Sequence, residues 1–133
     1  MIVVADTTPL RYLVAIEREQ LLPELYGRVL IPPAVASELN HENTPEIVRV
    51  WLSERPSWLE IRQPIQTLEP EVDLDSGEQE AIALAEEVAA DLLLVDDWDA
   101  RLEAERRNLR AIGTLRVLAD GASLGLTDLA EAF

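Results

Sequence analysis

Two short apolar runs, Ile2-Val3-Val4-Ala5 and Leu92-Leu93-Leu94-Val95, each lead directly into acid: Asp6 after the first, Asp96-Asp97 after the second. Continuous β-branched or Leu-rich runs of this length, without polar alternation, mark parallel strands buried on both faces. Between them the periodicity becomes helical. Thr8-Pro9 has the order of a cap followed by proline and predicts a helix that buries Leu10, Leu13 and Val14. Leu21, Leu22 and Leu25 predict a second short turn ended by Gly27, and Arg28 to Ile31 reads as a strand. Pro32-Pro33 stops that strand and starts a helix over Ala34 to Leu39.

Thr44-Pro45 repeats the cap-and-proline signal, and Ile47, Val48, Val50, Trp51 and Leu52 give the following helix an apolar stripe. Trp58 to Arg62 predicts a strand, and a loop rich in Pro, Glu and Asp runs from Gln63 to Leu74. Asp75-Ser76 caps the next helix, with Ala81, Leu84, Ala85 and Val88 on its buried face. After the second acid-ended strand come a helix from Trp98 to Asn108, a strand over Leu109 to Ile112 and a helix opening at Thr114. Strands alternating with helices predict an α/β fold around a parallel, layered sheet. No repeat, low-complexity tract or linker interrupts the pattern, so we expect one domain over residues 1–133.

Composition narrows the function classes. The chain has no cysteine and no lysine, and its formal net charge is −15. Without lysine, Schiff-base chemistry and a Walker-type phosphate loop are excluded. Acidity of this size repels polyanions at long range, so phosphate wrapping by a basic surface is excluded as well. A bound cation reverses that field locally, and a basic protein partner complements it. The apolar stretch from Ala81 to Val95 is broken by Glu86, Glu87 and Asp91 and is no membrane span. No basic segment and apolar signal region open the chain, so the expected location is cytoplasmic.

The candidate chemistry lies in acids at element ends. Asp6 follows the first strand, Glu38 falls in the helix after the second, Glu78 lies in the first turn after a cap, and Asp97 follows the later strand. Open α/β sheets place their sites at the C-terminal ends of the strands. Hard oxygen ligands of this kind suit Mg²⁺ or Mn²⁺.

The chain resembles the PIN-domain ribonucleases, in particular the small prokaryotic toxins of the VapC type. The resemblance rests on five segments in order: Val4-Ala5-Asp6-Thr7-Thr8-Pro9-Leu10, Val29 to Leu39 with Pro32-Pro33 and Glu38, Leu74 to Ala85 with Asp75-Ser76-Gly77-Glu78, Leu93 to Asp97 with Ala100-Arg101, and Ile112-Gly113-Thr114-Leu115. It implies a three-layer α/β/α sandwich with a central, mainly parallel sheet. It implies a divalent-metal-dependent endoribonuclease that hydrolyses RNA with metal-activated water, serves as the toxin of a toxin–antitoxin pair, forms a homodimer and is neutralised by a small antitoxin. Residue by residue, it makes Asp6, Glu38, Glu78 and Asp97 the catalytic acids. The metal ligands would be these four with Asp96, the paired acid at the same strand end. Thr8 matches the family hydroxyl, and Arg101 would ease charge on the substrate. The aromatic residue common after the last acid is replaced here by Ala100 and Arg101. The alternative reading is a catalytically inactive PIN-like module for protein interaction.

Ordinary structural roles compete for several of these positions. An acid after a strand is commonly a turn or cap residue, and Glu78 at a helix start complements the helix dipole. Glu80 is expected on the surface, outside the site. His41, the only histidine, stands beside Asn40 at an expected helix end and has no nucleophile for a partner. Trp51 and Trp58 are expected to pack, and Trp98 lies beside the acids. Arg101, Arg106, Arg107 and Arg110 are interleaved with Glu103 and Glu105, the pattern of a solvated helix laced with ion pairs.

Overall fold

The computed structural model describes residues 1–66, 68 and 73–127. In chain order the elements are β1 (Ile2–Ala5), α1 (Thr7–Ala15), α2 (Leu21–Leu25), β2 (Arg28–Ile31), α3 (Pro33–Leu39), α4 (Glu46–Ser53), β3 (Leu59–Ile61), α5 (Ser76–Glu87), β4 (Leu92–Leu94), α6 (Trp98–Arg106), β5 (Ala111–Ile112) and α7 (Thr114–Ser123). The sheet is five-stranded in the order β3-β2-β1-β4-β5, and every pairing is parallel. The chain winds outward from β1 to β3 on one side and through β4 to β5 on the other. The change of direction therefore falls between β1 and β4, where the two acid-ended strands lie side by side.

Alternate residues of the central strands feed two separate cores. Val3, Ala5, Val29, Ile31, Leu92 and Leu94 point to the face covered by α1, α2, α3, α4 and α7. Val4, Leu30, Leu93 and Val95 point to the face covered by α5 and α6. The result is the expected three-layer α/β/α sandwich. Burial on both faces explains the absence of polar alternation in β1 and β4. Trp51 and Trp58 pack against the first core with ring centroids 5.9 Å apart. Among the described residues no helix is long and apolar enough to cross a membrane. The loop expected over 63–74 lies in part outside the described residues.

Several expectations from the sequence are corrected at the helix ends. Helix α1 begins at Thr7 with Asp6 in the N-cap position, one residue before the expected Thr8 cap, and the Asp6 side chain makes no cap bond. The Asp6 N–H still donates to Leu94 O at 2.9 Å, so the last rung of the β1–β4 ladder and the first turn of α1 share one residue. Pro9 sits in the first turn, where a missing N–H leaves no intrahelical partner unsatisfied. Thr44 likewise does not cap α4; Pro45 occupies that position, and the Thr44 hydroxyl donates to the Glu38 carbonyl at 2.7 Å. Glu80 is half-buried, and its Oε1 accepts the Ala34 N–H at 3.0 Å, closing the N-terminus of α3 from α5. Pro32 and Pro33 have no such donor, so Ala34 carries the first free N–H of that helix.

Glu103 is the largest departure from the solvated-helix pattern. It is 1 % exposed and accepts from Arg107 Nε at 2.7 Å and Arg106 Nη1 at 3.3 Å. Ala100 and Ala104 set α6 against the sheet, and that close approach draws Glu103 inward with them. Arg107 also donates to Glu86 at 3.0 Å, which ties α6 to α5. Removing one partner of a buried ion pair leaves the other charge desolvated. Because Glu103 keeps Arg106, Arg107→Ala is expected to destabilise the protein by about 1–3 kcal/mol, read as a lower urea midpoint at unchanged slope.

Candidate functional site

Asp6 is placed by the strongest element of the fold, the central strand β1, and is only 5 % exposed. Its Oδ1 is buried and has no hydrogen-bond partner. Burial is the main cause that raises its pKa from 3.8 to about 7; the Thr7 backbone N–H opposes the rise, while the charges of Asp75, Glu78 and Glu38 add to it. An unpartnered buried acceptor surrounded by like charge is what a cation would satisfy.

Glu38 reaches the same place from α3. Its Oε2 accepts the Thr7 hydroxyl proton at 2.7 Å. Gly77 in the first turn of α5 completes the junction. A Cβ at Gly77 would lie 2.7 Å from Glu38 Oε1 and 3.3 Å from Asp6 Oδ1. Glycine is thus required for α5 to approach both carboxylates at once.

Glu78, next in that turn, is 9 % exposed and belongs to a capping box: its backbone N–H donates to Asp75 Oδ1 at 2.8 Å, and its Oε1 accepts the Asp75 N–H at 3.1 Å. Desolvation is the first cause that raises its pKa from 4.5 to about 7; the Asp75 N–H opposes this, and Asp75, Asp97 and Glu38 reinforce it. Asp6, Glu38 and Glu78 therefore sense one another's charge, and Glu78 also senses Asp97. Among the described residues, however, no three acids stand where they would ligate one ion together as placed.

The acids after β4 have divided roles. Asp97 is exposed and caps α6, its Oδ2 accepting the Ala100 N–H at 3.0 Å. Asp96 is half-buried and accepts from the Thr114 backbone N–H at 2.7 Å and the Thr114 hydroxyl at 2.6 Å. A Cβ at Gly113 would lie 2.7 Å from Asp96 Oδ1 and 3.4 Å from Arg101 Nη1, so this turn too depends on glycine. Arg101 is half-buried with its Nε unpartnered. Thr8 is exposed and lines a cleft with Tyr12, Asp96, Thr114 and Leu115. His41 Nδ1 accepts the Asn43 N–H at 3.0 Å, a local turn bond, and Trp98 is 67 % exposed.

Thr7, Gly77 and Tyr12 contribute to this region without having been singled out from the sequence. The Thr7-Thr8 pair held the ambiguity over which hydroxyl turns inward, and only the start of α1 resolves it. The all-carboxylate donor set, with the orphaned Asp6 Oδ1, fits a hard divalent cation. Asp6, Glu38, Glu78 and Asp97 are the candidate ligands for one.

Comparison with known proteins agrees with this fold. Residues 2–133 match the DUF3368 family, described as a PIN domain. Among solved structures the chain is similar to a PilT N-terminus domain protein, SSO1118, from the hyperthermophilic archaeon Sulfolobus solfataricus P2. The identity is 20 %, the TM-score 0.63, and the match covers 90 % of this chain and 92 % of that one. At that identity the likeness concerns the fold. No curated protein sequence gives a significant match.

Two outcomes are expected from these contacts. Asp6 is ionised in the unfolded chain above pH 3.8 but holds its proton in the metal-free fold up to about pH 7. Its favourable contribution is complete below the lower value and is lost as pH rises through the upper one. With EDTA present, Asp6→Asn should therefore stabilise the protein at pH 8 by about 1–4 kcal/mol, and by less at pH 5; chemical denaturation at the two pH values checks this. Gly77→Ala should leave the fold standing, because the Glu38 carboxylate can swing away, but it should break the Thr7–Glu38 bond. Calorimetric titration with Mn²⁺ should then give an affinity at least roughly tenfold weaker than that of the unaltered protein.

Proposed function

Since the chain belongs to the PIN-domain family, a nuclease-type fold, we propose that it is a divalent-metal-dependent endoribonuclease acting as the toxin of a toxin–antitoxin pair. The observation that carries the reading is the buried, unpartnered Oδ1 of Asp6, set beside Glu38 at the approach of Gly77. Asp6, Glu38, Glu78 and Asp97 would hold the ion, and Asp96, clamped to Thr114, fixes the loop from which Asp97 projects. Mg²⁺ or Mn²⁺, when bound, supplies an activated water and neutralises charge on the scissile phosphate. The Thr7 hydroxyl holds Glu38 in position by donating to its Oε2, while Oε1 lies against Gly77. Thr8, in the cleft beside Asp96, and Arg101, whose guanidinium lies near Gly113, are assigned to substrate contact, where Arg101 would ease charge on the leaving oxygen. One domain spanning the chain, working in the cytoplasm as a homodimer and bound by a small basic antitoxin, completes the proposal; the net charge of −15 suits such a partner.

A second reading follows from a specific observation. Because no three acids among the described residues are set to ligate one ion as placed, a catalytically inactive PIN-like interaction module also accounts for the geometry. Cleavage of RNA in Mg²⁺ or Mn²⁺ separates the two. The nuclease reading expects cleavage by the unaltered protein and its loss, by at least about a hundredfold, in Asp6→Asn, whose circular dichroism should be unchanged. Full activity in that variant defeats the assignment. No Mn²⁺ site at millimolar concentration and no cleavage would establish the interaction module instead.

A further inference from the structure

We infer that the exposed ridge of Trp98 and Leu102 on α6 is the docking surface for a basic, amphipathic segment of a protein partner, with a cationic side chain of that segment seated on the Trp98 ring. Trp98 is 67 % exposed and Leu102 42 %. Four residues apart in one helix, they lie on the same face one turn apart. The opposite face of α6 is taken up by the protein's own core, where Ala100 and Ala104 pack. Trp98 stands in the first turn of α6, where neither helix propensity nor capping calls for an indole. Among the described residues the one ring pair is Trp51 with Trp58, so the Trp98 ring stacks on no other.

The charges around the ridge decide what covers it. Arg106 and Arg107 both donate to the buried Glu103 rather than to Glu105. Glu105 and Asp99 are exposed and, among the described residues, make no side-chain hydrogen bond or ion pair. Asp97, which caps α6, is exposed as well. An aromatic face with carboxylates at both ends attracts a cation twice over, through the ring quadrupole and through the acids. Leu102 adds an apolar contact for the next turn of the same segment. The same acids disfavour two other occupants. RNA phosphates are repelled, and a second copy of this chain, at net charge −15, would set acid against acid here.

The ridge begins at the residue after Asp97, a candidate metal ligand, so a segment lying on it comes within one residue of that acid. This surface deepens the basic partner of the proposed function, and it rests on that part of the reading alone. It needs no catalysis, and an interaction module would use it equally.

The test is direct binding, with a short synthetic amphipathic helix of leucine, alanine and arginine as the probe. A counterpart with each arginine replaced by glutamine isolates the cation. Added to isotope-labelled protein, the arginine peptide should shift the Trp98 indole N–H and the Leu102 methyl signals. The glutamine peptide should bind at least about fivefold more weakly. Trp98→Ala should keep the melting temperature of the unaltered protein, because the ring is exposed, and should weaken the arginine peptide by about fivefold or more. Asp99→Asn together with Glu105→Gln should weaken it by about threefold or more and flatten its salt dependence. Equal binding of the two peptides, no binding, unchanged affinity in Trp98→Ala, or the same signals answering an oligouridine in place of the peptide overturns the surface. Peptide shifts confined to other residues keep a basic partner and discard this surface. Cleavage of RNA in Mg²⁺ by a protein that ignores the arginine peptide retains the nuclease and discards the surface, whereas peptide binding at Trp98 without cleavage does the reverse.

Discussion

The bond from the Thr7 hydroxyl to Glu38, made across the bare Cα of Gly77, is the contact on which the acid cluster depends. It joins the end of β1 to α3, with α5 resting against both carboxylates. Three elements that are far apart in sequence thereby meet at one point. The cost is electrostatic. Asp6 and Glu78 are both driven toward neutrality by burial and by neighbouring acids, so the metal-free fold carries repulsion that the two apolar cores must offset. Sites of this kind trade stability for function.

A second clamp, Asp96 to Thr114, performs a different task on the other side of β1. It closes the loop after β4 onto the start of α7, with Gly113 giving the needed clearance. Asp96 spends its strongest interactions inside the protein, while its neighbour Asp97 stays exposed at the cap of α6. Two adjacent carboxylates thus acquire separate roles from their partners alone. One organises the loop, and the other presents charge to the opening.

The arginines sharpen this picture. Arg107 pairs with Glu103 and Glu86, and Arg106 also reaches Glu103. These cations brace α6 against α5, so they do not form an open track for phosphates. A chain of net charge −15 repels polyanions at long range.

Much of the fold was legible in the sequence because burial on two faces leaves an unmistakable trace. The unbroken apolar runs of β1, β2 and β4 marked the sheet, and Pro33, Asp75 and Thr114 marked helix starts to within a residue. The acids at element ends were legible for the same reason, since an abrupt change from apolar to charged residues fixes where a strand leaves the core. What the linear pattern did not contain were choices decided by packing. It placed Glu80 and Glu103 in solvent, where most glutamates belong, yet one closes the start of α3 and the other is buried beneath Arg107. It favoured Thr8 over Thr7, because a one-residue shift in a helix start is invisible to periodicity but turns a side chain through about 100°. The sequence by itself determined the strands, the layers and the acid-rich edge, since these follow from local patterning. Only the tertiary structure decided which hydroxyl, glycine and carboxylate meet, because those contacts join residues whose separation along the chain leaves no periodic signal.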